Sequence, residues 1–171
     1  MLAVVTGASG LLGGNVAVAL IEAGHTVRAL RRGTSRVDHL EPWPIAWIEG
    51  DLGDAGALRT AFDGADAVFH CAAAVSILRR PTPELVEVNV EGTRRVARAV
   101  REAGVRRLVY VSSVVAIGLS EDGKPCTESA TWNFDRHGLD DGYAITKHLA
   151  EDVVRAEVAA GLPAVIVNPT Y

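Results

Sequence analysis

The chain has 171 residues, of which 49% are hydrophobic and 22% are charged, and its formal net charge is −4. These values predict one globular domain that is long enough to bury a sizeable core. Acidic residues outnumber basic ones and the basic residues are scattered, which argues against nucleic acid or an anionic membrane as a partner. The longest apolar stretch, 108–119, is interrupted by two serines and is shorter than the ~20 residues that span a bilayer. The first residues lack the pattern of a signal peptide, so we expect a cytoplasmic protein.

Short β-branched runs alternate with longer segments of helical period along the chain. This alternation predicts a doubly wound α/β fold, in which helices cover both faces of a parallel sheet. The predicted strands are 2–6, 25–30, 46–49, 67–71, 107–112 and 164–167, and the predicted helices are 11–23, 54–62, 84–103 and 143–160. Segment 118–142 is rich in Asp, Gly, Pro, Ser and Asn and predicts a long surface loop.

One side of the predicted helix 84–103 carries aliphatic residues at helical spacing. They are Leu85, Val88, Val96 and Val100, which mark one side of a long helix that Gly104 closes.

The cysteines and histidines carry no sign of a metal site or a disulfide framework. Cys71 ends an apolar run and Cys126 lies in a Pro-flanked loop, so both are expected to be free thiols. The five histidines show no ligand spacing with a cysteine or an acid.

A glycine-rich turn joins the first strand to the first helix. Main-chain N–H groups at a helix N-terminus bind a pyrophosphate when no Cβ obstructs them, so this turn predicts a dinucleotide site. A tight turn without a ligand is the alternative. The predicted binding residues here are Gly7, Ser9, Gly10, Leu11, Leu12 and Gly13.

The Gly-x-x-Gly-x-x-Gly spacing after a threonine resembles the extended short-chain dehydrogenase/reductase family, within the NAD-dependent epimerase/dehydratase superfamily. The resemblance implies a Rossmann fold of strand order 3-2-1-4-5-6. It also implies that Asp51 and Leu52 contact the adenine, and that the small residues ending the fourth strand lie beside the ribose. Those small residues are Cys71, Ala72 and Ala73. The alternatives are that Asp51 begins a loop and that the alanines pack in an ordinary way.

Tyr143 and Lys147 are four residues apart, hence on one face of a helix with a rise of about 6 Å between their Cα atoms. A cation next to a phenol favours the phenolate, so we expect Lys147 to lower the pKa of Tyr143. The resemblance implies that Tyr143 is the general acid/base and that Lys147 also holds the nicotinamide ribose. A solvated helix face is the alternative.

Two further polar residues match the family pattern. The resemblance implies that Ser113, rather than its neighbour Ser112, hydrogen-bonds the reacting oxygen. Asn89 matches the family's helix asparagine, where it would hold a water or the catalytic helix; a satisfied buried amide is the alternative.

The last residues, including Asn168 and Pro169, resemble the family's passage beside the nicotinamide. The resemblance spans all 171 residues as an NAD(P)-binding domain. The family's smaller substrate-binding domain is absent from this sequence, so we expect a fragment.

The cofactor's ribose specificity is addressed by the residues that end the second strand. An acid about 20 positions beyond the glycines is typical of NAD sites, but Arg31 and Arg32 stand there. Guanidinium groups attract a 2′-phosphate, so we expect a preference for NADP(H), with NAD(H) possible. The alternatives are a solvated turn, and an acid supplied by Asp38.

The sequence therefore predicts an NADP-dependent oxidoreductase that moves a hydride between nicotinamide and a carbonyl or carbinol carbon of a small organic substrate, similar to dihydroflavonol reductases. Val114 and Val115 occupy the places of the dehydratase Asp-Glu pair, so we expect no sugar 4,6-dehydratase activity. One alternative is a nucleotide-sugar epimerase with tightly bound NAD. The other is a non-catalytic NADP-sensing module, which would not need Tyr143 and Lys147. The family also implies a homodimer formed through the helices near Glu84 and Tyr143.

Overall fold

Six parallel strands form one sheet in a computed structural model that describes residues 1–121, 123–127 and 129–170. The strand order is β3-β2-β1-β4-β5-β6, which confirms the predicted doubly wound arrangement. The strands are β1 Leu2–Thr6, β2 Thr26–Arg31, β3 Ile45–Glu49, β4 Ala67–His70, β5 Arg107–Val111 and β6 Ala164–Val167. Each overlaps a predicted strand.

The helices lie on both faces of the sheet. They are α1 Leu11–Glu22, α2 Ala55–Phe62, α3 Pro83–Val86, α4 Gly92–Glu102 and α5 Gly142–Ala159. Carboxylates cap two of them: Asp54 accepts a hydrogen bond from the Ala57 amide at 2.9 Å, and Asp141 accepts one from the Ala144 amide at 2.9 Å. These caps satisfy amides that a helix leaves without partners, so α2 and α5 begin where a carboxylate precedes them. None of the described helices is both long and apolar enough to cross a membrane.

Successive side chains of the central strand β1 pack into two separate hydrophobic cores, one on each face of the sheet. Val4 is fully buried with residues such as Phe62 of α2 on one face of the sheet. Val5 is fully buried on the other face, with Ala17 of α1 and Val27 of β2. A strand buried on both faces is nearly continuously apolar, as residues 2–5 of β1 are, and this pattern is what a three-layer α/β/α domain requires.

The predicted helix 84–103 is not one regular α-helix. A π-helical segment, Glu87–Glu91, separates α3 from α4. Each π-turn holds an additional residue, so the buried side of the helix changes position within this segment. Of the aliphatic residues predicted to share one side of this helix, Leu85, Val96 and Val100 are buried, whereas Val88 is partly exposed.

The described part of the predicted loop 118–142 lies mostly at the surface, but it contains one buried polar side chain, that of Asn133. The Asn133 amide accepts a hydrogen bond from the Leu119 N–H at 2.8 Å and donates one to the Leu119 carbonyl at 2.9 Å. These bonds join the start of the loop to its interior at Asn133. Asp122 and Glu128 of this loop lie outside the described residues, as does Tyr171 at the end of the chain.

A buried chain of hydrogen bonds joins β1, β4 and α4. The Thr93 hydroxyl donates to the Asn89 carbonyl at 2.6 Å, so at 3.0 Å it accepts from Nε2 of His70. Nδ1 of His70 then accepts from the Thr6 hydroxyl at 2.7 Å. Burial lowers the pKa of His70 to about 3, so the imidazole is neutral near pH 7.

We expect Thr93→Val to lower the free energy of unfolding by about 1–3 kcal/mol, because it leaves the buried Nε2–H of His70 without an acceptor. Thr60→Val is the matched control: the Thr60 hydroxyl also bonds a carbonyl of its own helix, that of Gly56, but it is exposed. The control should change stability by less than about 0.5 kcal/mol. Urea unfolding of both variants measures the difference, and equal losses would contradict the role given to Thr93.

Candidate active site

The turn between β1 and α1 brings two backbone segments into direct contact. Gly7 has a φ of 75°, and a Cβ there would lie 2.6 Å from the Ala72 nitrogen in the segment after β4. A Cβ on Gly13 would lie 2.3 Å from the Gly7 carbonyl oxygen. Both positions therefore require glycine, the first also for its left-handed conformation.

The N-terminus of α1 is suited to bind an anion. Its N-cap residue is Gly10, which provides no side-chain hydrogen bond to the first turn. The first amides of a helix have no intrahelical acceptor, so those after Gly10 are available to a ligand. A dinucleotide's pyrophosphate fits this arrangement because glycine leaves the approach to these amides open.

A cleft of about 610 Å³ begins at this turn and extends past the ends of β2, β3 and β4. Most of the residues predicted to bind the cofactor line it: Gly7, Ser9, Gly10, Arg31, Arg32, Asp51, Leu52, Cys71, Ala72 and Ala73. Of the other residues in the glycine motif, Gly13 packs inside the turn and the exposed Leu11 and Leu12 lie outside the cleft lining. The partly exposed Val88 lines the far side of the cleft.

Basic groups lie at the end of the cleft formed by β2. The Arg31 guanidinium carbon is 5.5 Å from the centroid of the Trp47 ring. The Ser35 hydroxyl, which sequence reasoning missed, also lines the cleft and accepts a hydrogen bond from the Arg32 amide at 3.2 Å. Asp38, the alternative acid, lies outside the cleft lining and pairs with Arg36 at 3.5 Å. This end of the cleft therefore combines two cations with a hydroxyl.

Asp51 both lines the cleft and organises its own loop. One of its carboxylate oxygens accepts a hydrogen bond from the Gly53 amide at 2.7 Å. Asp51 therefore does begin a loop, which was the alternative considered for it. The second carboxylate oxygen of this exposed side chain remains available for other contacts.

Lys147 of α5 is almost completely buried. Its ammonium donates a hydrogen bond to the Val111 carbonyl at 2.9 Å and lies 4.6 Å from the centroid of the Tyr110 ring. Burial lowers the pKa of Lys147 to about 8, while the negative charge of Glu151 acts in the raising direction. Burial also raises the pKa of Cys71, to about 11, so this cleft residue is a neutral thiol.

The predicted lowering of the Tyr143 pKa by Lys147 is wrong in this structure. Tyr143 is half-buried, and desolvation raises its pKa above the usual value, although a hydrogen bond with the Ser113 side chain acts in the lowering direction. The ammonium of Lys147 is instead engaged by the carbonyl of Val111. The structure brings Ser113 and Tyr143 together, and it leaves the phenol protonated at neutral pH.

The side chain of Asn89 is a buried amide whose oxygen and nitrogen both have hydrogen-bond partners, which was one of the two alternatives that the sequence offered. Its oxygen accepts from the Ala74 amide at 2.7 Å, and its nitrogen donates to the Ala74 carbonyl at 2.9 Å and to the Thr146 hydroxyl at 3.0 Å. It therefore connects the segment that lines the cleft to helix α5. Thr146, which lies between Tyr143 and Lys147, was not recognised from the sequence.

The residues after β6 pack against the serine segment after β5. The Asn168 amide nitrogen donates to the Ser113 carbonyl at 2.9 Å and to a Glu151 carboxylate oxygen at 2.6 Å. The Pro169 carbonyl accepts from the Val114 amide at 3.1 Å. Asn168 and Pro169 thus lie beside the serine segment, and their predicted place beside the nicotinamide stays a prediction. Glu151 was missed, although its position one helical turn after Lys147 was a usable signal.

Among the residues that the structure describes, no group of three or more His, Cys, Asp and Glu side chains could hold a metal ion. Cys71 and Cys126 are both free thiols.

A doubly wound sheet with a glycine turn at the N-terminus of its first helix defines the class of dinucleotide-binding Rossmann domains. The family model described as the NAD dependent epimerase/dehydratase family matches residues 3–171. The chain therefore belongs to this family, the extended short-chain dehydrogenases/reductases.

Named relatives agree with this assignment. A putative dihydroflavonol 4-reductase from Synechocystis sp. is 39% identical over 166 residues, which cover 97% of this chain and 48% of the relative. Sterol demethylase protein B from Methylococcus capsulatus is 38% identical, over 99% of this chain and 51% of the relative. The chain thus spans about half the length of these relatives.

A solved structure agrees as well. A short-chain dehydrogenase/reductase superfamily protein from Agrobacterium tumefaciens, with bound NAD, has a TM-score of 0.81 and 32% identity over 98% of this chain and 48% of that one.

Proposed function

We propose that this chain is the cofactor-binding domain of an NADP(H)-dependent oxidoreductase acting on the carbonyl or alcohol group of a small organic substrate. The observation that carries the proposal is that the Ser113 side chain lies near enough to the Tyr143 phenol to hydrogen-bond it. Ser113 follows β5 at the same edge of the sheet as the cleft, although neither residue is part of the cleft lining. Lys147 is close enough to Cys71, in the cleft lining, to affect its pKa. The relatives named dihydroflavonol 4-reductase support a carbonyl substrate.

The bound nicotinamide dinucleotide would supply or accept the hydride. The amides after Gly10 would bind its pyrophosphate, and Asp51 and Leu52 would contact its adenine. Lys147, Asn168 and Pro169 would lie on the nicotinamide side, where Lys147 would hold the ribose. Of the predicted cofactor residues, Leu11, Leu12 and Gly13 would contribute through their backbone.

The proton chemistry would belong to Tyr143 and Ser113. Because burial raises the pKa of Tyr143, the phenol is protonated near pH 7 and can donate a proton to a substrate oxygen. The Ser113 hydroxyl would donate a hydrogen bond to the same oxygen and stabilise the charge that develops there. A protonated phenol suits reduction of a carbonyl. Asn89 would hold α5, and so Tyr143, against the cleft.

Arg31, Arg32 and Ser35 support the preference for NADP(H), since two cations and a hydroxyl at one end of the cleft complement a 2′-phosphate. The Arg31 guanidinium also lies over the Trp47 ring, 5.5 Å from its centroid, which favours a cation at this position. The NAD in the Agrobacterium tumefaciens structure makes NAD(H) the competing cofactor.

The proposal also includes a cytoplasmic location and a homodimer. Leu149 of α5 is a large apolar residue that is 41% exposed, on the helix that the family uses to dimerise. Sedimentation of the protein should give the mass of a dimer, and Leu149→Glu should give a monomer. A monomeric mass for the unmodified protein would reject this part of the proposal.

Tyr143→Phe should abolish carbonyl reduction and leave NADPH affinity nearly unchanged, because the variant lacks the transferable proton but keeps the cleft. Ser113→Ala should lose about 2–4 kcal/mol of transition-state stabilisation and retain some turnover. Steady-state kinetics with a panel of carbonyl compounds, together with NADPH fluorescence titration, measures both effects. Near-normal turnover of Tyr143→Phe would overturn the assignment, and purification with tightly bound NAD would favour an epimerase instead.

Arg31→Glu combined with Arg32→Ser should weaken NADPH binding by at least about 1.5–3 kcal/mol and affect NADH little, because only NADPH carries the 2′-phosphate. Arg36→Glu is the control, since Arg36 is an exposed arginine of the same loop that pairs with Asp38. Titration of each variant with NADPH and with NADH measures the two affinities separately. Equal losses for both cofactors, or tighter binding of NADH by the unmodified protein, would show that Arg31 and Arg32 do not recognise the phosphate.

A further inference from the structure

Glu151 is a buried carboxylate beside the candidate active site. Its residue is 1% exposed, one oxygen accepts from Arg155 at 2.7 Å, and the other accepts from Asn168 at 2.6 Å. Burial of a carboxylate is unfavourable unless its oxygens find such partners. Because α5 turns once every 3.6 residues, Glu151 lies on the same face as Tyr143 and Lys147.

The first consequence of this placement concerns the orientation of Asn168. A carboxylate only accepts hydrogen bonds, so Glu151 requires the NH₂ group of Asn168, not its carbonyl oxygen, to face it. The same NH₂ group donates to the Ser113 carbonyl at 2.9 Å. Glu151 therefore determines how the residues after β6 hold the backbone of Ser113.

The second consequence is electrostatic. Lys147 faces Tyr110 of β5, Cys71 after β4 and Glu151 on its own helix. Its positive charge also lowers the pKa of His70 of β4. His70 is neutral and burial keeps the Cys71 thiol protonated, so Glu151 supplies the negative charge in this group. Arg155, which is 61% exposed, balances Glu151 from the solvent side.

We propose that Glu151 is a positioning residue of this site, which orients the Ser113 segment through Asn168 and supplies the buried counter-charge for Lys147. The proposal rests on the proposed oxidoreductase function for its kinetic consequences. Its electrostatic part is independent of turnover.

Two substitutions separate the two effects. Glu151→Gln keeps an oxygen that can accept from Asn168 but removes the charge, whereas Glu151→Leu removes both. Glu157→Gln is the matched control, because Glu157 is also a largely buried carboxylate of α5, paired with Arg98 and Arg101 at 3.5 and 3.2 Å, but on the side facing α4.

The first readout is the titration of Lys147, followed by NMR of ¹³C-labelled lysine side chains. The sequence contains two lysines, Lys124 and Lys147, and the Lys147→Arg variant assigns the second signal. Since Glu151 raises the pKa of Lys147, which burial lowers to about 8, Glu151→Gln should move the titration to lower pH. The alkaline limb of kcat should move in the same direction, and Glu157→Gln should move neither.

The second readout is kcat at pH 6, where Lys147 of the unmodified protein is charged. Glu151→Leu should reduce kcat by up to roughly 100-fold, because a displaced Ser113 no longer meets the substrate oxygen correctly. Glu151→Gln should retain much more activity than Glu151→Leu. If Glu151→Leu does not fold, Asn168→Ala tests the same link and should lower kcat without moving the Lys147 titration.

Equal Lys147 titrations in Glu151→Gln, Glu157→Gln and the unmodified protein would overturn the electrostatic role. Equal kcat values for the Leu and Gln variants at pH 6, or an unaltered kcat in Asn168→Ala, would overturn the positioning role. An unmodified protein that binds NADPH but reduces no carbonyl compound would contradict the proposed function, while the NMR titration would still decide the role of Glu151.

Discussion

The contact between the turn after β1 and the segment after β4 is the constraint on which the candidate site depends. Gly7 and Ala72 approach so closely that a Cβ on Gly7 would overlap the main chain. This contact is possible because β1 and β4 are neighbours in the sheet, although β1 ends at Thr6 and β4 begins only at Ala67. It forms the floor of the cleft and directs the N-terminus of α1 towards it.

Buried polar side chains then connect this floor to the helices. His70 joins the end of β1 to α4, and Asn89 joins the segment after β4 to α5. Because an unpaired polar group in the interior costs about 1–3 kcal/mol, each such bond favours one relative position of the elements that it links. The rigidity needed for a precise site thus comes from a few hydrogen bonds superimposed on an otherwise apolar core.

Burial also determines the protonation states around α5. Desolvation lowers the pKa of Lys147 and raises that of Tyr143, which brings the ammonium closer to losing its proton and keeps the phenol neutral. Within a site of this kind, nearby partners offset desolvation: Glu151 favours the charged Lys147, and Ser113 favours ionisation of Tyr143. In the proposed reaction, a bound dinucleotide and substrate would add their own effects to the pKa values of Lys147 and Tyr143.

The sequence by itself determined the six strands, most of the helices and the glycine turn, because hydrophobic period, caps and glycine spacing are local properties. The strand order of the sheet came from the resemblance to a family. It also singled out Ser113, Tyr143 and Lys147 by their resemblance to a family. Only the tertiary structure decided what surrounds them. The π-turn that moves Val88 to the cleft, the partners of Asn89 and the approach of Asn168 to Glu151 depend on contacts between distant segments. The direction of the Tyr143 pKa shift was predicted wrongly for the same reason. Neither the burial of Tyr143 nor the carbonyl that accepts a hydrogen bond from Lys147 can be derived from spacing along one helix.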